Sequence, residues 1–428
     1  MLCKPIIPVE HIVILHKISS RLARLTLLLS TVLLTAPSMS CTKDASEVSS
    51  PATPTPSAPT PAPPAPTPSS LLVNSSLIGE YSATDLASRV AEAPVAGALA
   101  KYPIRVYRLT YTTPNTDGKP VTASGALLVP TVPQPLPLLS YQHGTIRPSD
   151  EDRAPSHYST NSEVYSAVSV LASTGYIVSA PDYIGYGASK ALPHPYEHAA
   201  SLASASLDMM RAAREFCRRE NILLNDKNFL LGYSEGGFAT MALHKLIEEK
   251  YANELTVTAS APGAGAYHKS AFANYILSSD KPLNFLSTYV WVLDTYNRVY
   301  GINRPFAYYF NPPWAAQLEK NSFGSVPDQP KQLFTASFRT SILTNTDPQM
   351  AAAFHDNDIY DWQPKAPLAL FHGTADDYVP YFNSEDAYKA MQARGAKQVE
   401  LHPVPGGNHF TSVVSYTLQA LGFISQYY

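Results

Sequence analysis

Cysteine and charge are both scarce in this chain, and each scarcity removes a class of function. Three cysteines in 428 residues, Cys3, Cys41 and Cys217, cannot build a disulfide framework, and they lack the paired spacing of a zinc site. Only Cys217 falls inside the region that reads as folded, where it is expected as a small buried apolar residue. Charged residues make up 15% of the chain and the formal net charge is -3, so nothing electrostatic favours nucleic acid or an anionic membrane as a partner. No repeat recurs at a fixed period, which argues against a solenoid or propeller. The apolar run from Leu25 to Ala36 is too short to span a bilayer as a mature helix. The 45% hydrophobic content does fit a globular protein with one elaborated domain or two smaller ones.

The first forty residues read as an export signal, with Lys17, Arg21 and Arg24 preceding that apolar run and small residues following it. Ser38-Met39-Ser40-Cys41 resembles a bacterial lipoprotein processing site, in which the cysteine is lipidated and becomes the new N-terminus; it departs from the pattern at Ser38, where leucine is usual. Lipidation of Cys41, giving a membrane tether, and simple signal cleavage are the two readings. From 41 to 70 the chain reads as a disordered linker. Between Pro51 and Pro68 nine of eighteen residues are proline, a composition that favours extended polyproline geometry and a semi-stiff spacer.

From about Leu71 to the C-terminus apolar segments alternate with helical patterns, the signature of a mostly parallel sheet flanked by helices. Segments 104–112 and 122–129 predict an opening antiparallel pair. Strands are then expected at 137–142, 176–180, 229–232, 255–260, 367–371 and 399–404, with helices over 162–174, 196–220 and 238–249. The alternation stops between about 265 and 365, where Tyr, Phe, Trp and Asn are frequent. So long a loop is abnormal in a compact domain, and an inserted, mainly helical cap or lid is expected there.

The chemistry centres on Gly232-Tyr233-Ser234-Glu235-Gly236. A nucleophile on a sharp strand-to-helix turn needs small neighbours two residues to either side, so that strand and helix can approach. Composition alone imitates this pentapeptide in about one such chain in ten, so the context decides: an apolar strand ends at Ser234 and a helix starts from it. A serine hydroxyl also needs a base, and the base needs a carboxylate to orient it. Downstream, Asp376 and Asp377 sit on a turn after a strand, and His409 follows the last strand. His143 and His372, at strand ends, are expected to shape loops, Asp182 to tie its own turn, and the Glu235 side chain to add little beyond its backbone N-H.

These motifs resemble the α/β-hydrolase superfamily. Gly-x-x-Asp-x-x-Val-Pro at 373–380 is similar to the family's acid loop, which places the acid at Asp376. Gly407-Asn408-His409 resembles its histidine loop, His143-Gly144-Thr145 its oxyanion loop, and Asp182-x-x-Gly-x-Gly the turn after the next strand. The resemblance runs from about Ile104 to the C-terminus. Ser140 to Thr145, Gly-Tyr-Ser-Glu-Gly-Gly and the large insertion together resemble the secretory lipase and related esterase group. It implies attack by Ser234 on an acyl carbonyl, His409 as base and then acid, Asp376 as orienting acid, and an oxyanion hole from the backbone N-H groups of Glu235 and Thr145. The implied substrate is a small-molecule or lipid ester, with no metal or organic cofactor. The aromatic residues of the insertion, among them Tyr289, Trp291, Tyr296, Tyr309 and Trp314, fit either an acyl pocket or a self-packed lid core. Two other readings are an exported serine peptidase of aminopeptidase type, for which Asp294, Glu319, Asp356 and Asp358 could anchor a peptide terminus, and a tethered binding protein. An intact Ser, Asp and His set argues against the second.

Overall fold

A computed structural model describes residues 70–92 and 94–428. The expected signal, Cys41 and the proline-rich segment lie outside the described residues. Nine strands form one sheet: β1 (Leu72–Tyr81), β2 (Ile104–Pro114), β3 (Pro120–Pro130), β4 (Leu136–Gln142), β5 (Ile177–Pro181), β6 (Leu224–Tyr233), β7 (Ala259–Gly263), β8 (Leu368–Gly373) and β9 (Val399–Val404). Their spatial order is β1-β2-β3-β5-β4-β6-β7-β8-β9. The first four in that order pair antiparallel, and every pairing from β5 to β9 is parallel.

The parallel strands are apolar because helices cover both faces of the sheet, which removes the solvent-facing half of the usual alternation. All of β5 and β7 and the last six residues of β6 are buried. The antiparallel pair β2/β3 forms as expected. β1 carries no clear sequence signal, because it is an edge strand whose Asn74, Ser75 and Ser76 face solvent, and two register shifts interrupt its pairing with β2.

β7 begins four residues later than the periodicity predicts. Leu255 and Val257 are buried as that pattern implies, but they pack in irregular backbone. The ladder instead runs through Pro262 and Gly263, both poor strand formers, because pairing with β6 on one side and β8 on the other outweighs local propensity. The helix expected over 162–174 is divided, with a π-helical stretch Val164–Val168 before the α-helix Ser169–Ser173.

Between β7 and β8 the chain leaves the sheet and builds helices, including Lys269–Ser278, Leu286–Val299, Ala336–Leu343 and Pro348–Asp356. They have an apolar core of their own, with Tyr289, Trp291, Tyr296, Tyr309, Phe310 and Phe334 buried. Most of the aromatic excess of this insertion is therefore spent on self-packing. Tyr289 differs in also bordering a cleft beside the acid loop. Among the described residues no helix is long and apolar enough to cross a membrane.

Candidate active site

β6 delivers Ser234 to the C-terminal edge of the sheet, and the elbow helix Glu235–Lys250 starts at the next residue. Ser234 has φ 61° and ψ -125°, a strained conformation for a residue with a side chain. The turn holds because its neighbours are small: a Cβ added to Gly236 would lie 2.1 Å from the Gln142 carbonyl oxygen at the end of β4. Ser234 N-H also donates to the Gly263 carbonyl at 2.9 Å, which ties the turn to the end of β7.

The loops after β8 and β9 meet above this turn. His409 Nδ1 lies 2.7 Å from Asp376 Oδ2, and its Nε2 lies 2.9 Å from Ser234 Oγ. Nδ1 facing a carboxylate carries the proton, which leaves Nε2 to accept from the serine hydroxyl. The two loops can approach this closely because a Cβ on Gly373 would fall 2.3 Å from the Gly407 carbonyl. Tyr233 O-H donates to the His409 carbonyl at 2.7 Å, and Tyr378 stacks on the His409 ring with centroids 4.7 Å apart.

Asp376 is buried, and burial by itself would raise its pKa. Hydrogen bonds from His372 and His409 outweigh the effect of burial and hold the carboxyl well below the usual carboxylate range. Its other oxygen, Oδ1, accepts from the backbone N-H groups of Tyr378 at 2.9 Å and Val379 at 2.8 Å. Asp377 points elsewhere: it is exposed and accepts from Asn284 Nδ2 at 2.6 Å. The structure thus brings Ser234, His409 and Asp376 together and leaves Asp377 outside the group.

His143 shapes its loop as expected, with its ring nitrogens against the carbonyls of Gly144 (2.7 Å) and Asp182 (3.1 Å). His372 does more than shape a loop. Nε2 contacts the Val379 carbonyl at 2.8 Å and also lies 3.3 Å from Asp376 Oδ2. The only sequence signal for this role is its position four residues before the acid.

Two expectations are corrected. Asp182 does not tie its own turn: its carboxylate accepts from Ser124 Oγ and from Ser156 N-H at 2.7 Å, joining separate parts of the chain. The Glu235 side chain is not idle either, since it is fully buried and Oε1 lies 2.8 Å from His194 Nε2. Gly144, in the candidate oxyanion loop, sits against Ser234, its Cβ position being 3.9 Å from Ser234 Cβ. Thr145, next in that loop, has Oγ1 2.9 Å from Tyr196 OH.

A cleft opens between the inserted helices and the acid loop, walled by Phe272, Ile276, Leu286 and Tyr289 on one side and Tyr378 and Val379 on the other. Its acids are Glu197, paired with Lys269, and Asp377. Asp294, Glu319, Asp356 and Asp358 do not border it. Asp356 accepts from Tyr300 OH, and Asp358 from Ser270 N-H at 3.0 Å. Among the described residues no group of three His, Cys, Asp or Glu side chains is placed to hold a metal ion.

Comparison with known proteins bears on the family and the fold. A family model described as secretory lipase matches residues 153–428. Among solved structures, a Legionella pneumophila protein described as a hydrolase candidate shares 28% identity, with 83% of this chain and 98% of that one covered and a TM-score of 0.76. The rice cell wall degrading esterase LipA of Xanthomonas oryzae shares 29% identity over 84% of this chain and 97% of its own, with a TM-score of 0.71. Candida antarctica lipase A, at 19% identity and TM-score 0.62 over 84% and 81% of the two chains, shares the fold. No curated protein sequence matches the chain. With a mostly parallel sheet that turns sharply from strand to helix at Ser234, an inserted helical region and a family match over most of its length, this chain is an α/β-hydrolase that belongs to the secretory lipase family and acts on ester substrates.

Proposed function

We propose that the protein is a serine-dependent carboxylic-ester hydrolase working through an acyl-enzyme on Ser234. The observation that carries this reading is the continuous chain from Ser234 Oγ through His409 to Asp376, with spacings of 2.9 and 2.7 Å. His409 Nε2 takes the hydroxyl proton as Ser234 attacks the acyl carbonyl, then returns a proton to the leaving alcohol. Asp376 keeps the proton of His409 on Nδ1 and stabilises the imidazolium as it forms. The tetrahedral oxyanion is held by the backbone N-H groups of Glu235 and Thr145, each worth about 2.7 to 4 kcal/mol by analogy with other such donors. Water activated by His409 then releases the acid.

The cleft beside Tyr378 supports an apolar acyl or alcohol group as the part of the substrate nearest the inserted helices, which act as a cap over the site. Export is supported by the N-terminal apolar run and by membership in a secretory family. Palmitate labelling at Cys41 distinguishes a lipid-tethered protein from a freely released one.

The decisive experiment compares p-nitrophenyl esters of rising chain length with peptide anilides, using the parent and Ser234→Ala. Ester turnover lost in Ser234→Ala, with fluorophosphonate labelling of the parent alone, is the expected result. Turnover of anilides alone sinks the ester reading, and turnover that survives Ser234→Ala sinks the serine mechanism.

A further inference from the structure

Four consecutive residues before the long helix Ala199–Arg219 are buried and bonded in ways the reaction has not yet used. His194 donates from Nδ1 to the Ile184 carbonyl at 2.7 Å, so its other edge is free to share a proton with Glu235 Oε1, 2.8 Å from Nε2. Tyr196 spends its hydroxyl, the sole polar atom of its side chain, on Thr145 Oγ1 at 2.9 Å. Glu197, at φ 50°, forms a buried ion pair with Lys269 at the start of the inserted helix Lys269–Ser278, and its carbonyl accepts from Tyr296 OH at 2.9 Å.

Trp291, on the inserted helix Leu286–Val299, joins the first two contacts. Its ring stacks on Tyr196 with centroids 4.2 Å apart and planes 6° apart, and meets His194 edge-on at 5.5 Å. The residues whose N-H groups are assigned to the oxyanion hole, Thr145 in the loop after β4 and Glu235 at the start of the helix after β6, share no local sequence. Behind both stands the same short segment, registered on the same tryptophan of the cap.

We propose that the segment His194–Glu197 is the positioning element of the oxyanion hole: Tyr196 sets Thr145, His194 sets Glu235, and Trp291 locks both to the cap. This rests on the oxyanion assignment made under the proposed function. A donor worth two orders of magnitude in rate acts only if it is fixed where the oxyanion forms, before it forms. A backbone N-H has no side chain of its own to fix it, so the buried contacts of its residue must do so. Because Trp291 belongs to the cap, cap placement and oxyanion-hole geometry are one variable in this protein. None of the four residues touches the reacting atoms, and their effect passes through Thr145 and Glu235.

Tyr196→Phe tests this, since it removes one hydroxyl from a stacked ring that otherwise stays in place. With a p-nitrophenyl ester, kcat is expected to fall about five- to tenfold, the worth of one neutral hydrogen bond, while KM stays within about twofold. An alkyl trifluoromethyl ketone, whose serine adduct carries the oxyanion, should lose affinity by the same factor. Thr145→Val should reproduce the loss, Thr145→Ser should restore the parent rate, and Tyr196→Phe with Thr145→Val should be no worse than either alone. Trp291→Phe, which keeps an aromatic face for Tyr196, should retain more kcat than Trp291→Leu at matched thermal stability. If Tyr196→Phe keeps both kcat and ketone affinity while Ser234→Ala is inactive, the positioning role is wrong and the serine mechanism stands. If Ser234→Ala keeps the parent rate, the oxyanion assignment fails and the positioning role fails with it.

Discussion

Replacing Asp376 by Asn separates charge from shape at the acid of the candidate triad. One carboxylate oxygen, Oδ1, accepts two backbone N-H bonds, from Tyr378 and Val379, and the other faces His409 Nδ1 at 2.7 Å. An amide has only one oxygen. If that oxygen stays on the two backbone donors, the NH2 group faces His409, whose Nδ1 must then accept, so the imidazole proton moves to Nε2 and the ring can no longer take a proton from Ser234. If the amide turns round, two buried N-H groups lose their acceptor and confront a donor, which costs about 1–3 kcal/mol each. The productive tautomer is therefore disfavoured by about 2–6 kcal/mol, or roughly 30-fold to 10⁴-fold in kcat. The upper end matches the loss of about 10⁴ seen when a triad acid becomes an amide elsewhere. The assay is kcat on a p-nitrophenyl ester for Asp376→Asn beside Asp377→Asn, with fluorophosphonate labelling rates for both. Asp377→Asn should retain activity within about twofold, because its carboxylate is exposed and bonded to Asn284 alone. Parent-like kcat in Asp376→Asn, or an equal loss in Asp377→Asn, refutes the reasoning.

Other consequences follow from buried groups. Burial pushes the pKa of His198 down to about 4, below the value near 6.5 of an unfolded chain, so the unfolded state binds more protons between these values. Stability should accordingly be full above about pH 6.5 and decline as pH falls toward 4, and His198→Asn should flatten that part of a melting-temperature profile; an unchanged slope contradicts the assignment. Burial also pushes the Cys217 thiol up to about 12, so mass mapping should find it unlabelled by DTNB at pH 8 in the native protein and labelled in urea. Gly236→Ala should cost more than the roughly 1–3 kcal/mol of ordinary overpacking, because the new methyl meets two backbone carbonyls, those of Gln142 and His143, rather than yielding side chains; a parent-like urea midpoint would count against the elbow geometry. Lys269→Met strands the buried Glu197 carboxylate and should destabilise by about 3–5 kcal/mol, with Glu197→Leu added in the same chain recovering most of it. Chemical denaturation reads both, and a double variant no better than the single would show that the pair is not isolated.

How much could be read from the sequence depended on the range of the interaction concerned. Strands β2, β3, β4, β8 and β9 were legible because a buried strand writes its own apolar run, and the elbow was legible because Ser234 needs glycines within two residues of it. The inserted region was recognisable from the loss of alternation, although not the packing of its aromatics into a core of their own. β1 left no signal because an edge strand facing solvent needs no apolar period, and β7 was displaced because its two neighbours in the sheet, not its own propensity, set where it starts. The order of Ser234, Asp376 and His409 was in the sequence; their contact was not. Ser234 and His409 are 175 residues apart, and the ends of β6, β8 and β9 bring them within a hydrogen bond because those parallel strands finish at the same edge. Tertiary structure alone turned Asp377 toward Asn284 and placed the His194–Glu197 segment behind Thr145 and Glu235. A local pattern records what a residue needs from its near neighbours along the chain. Which distant backbone it will meet is decided only when the sheet has closed its register.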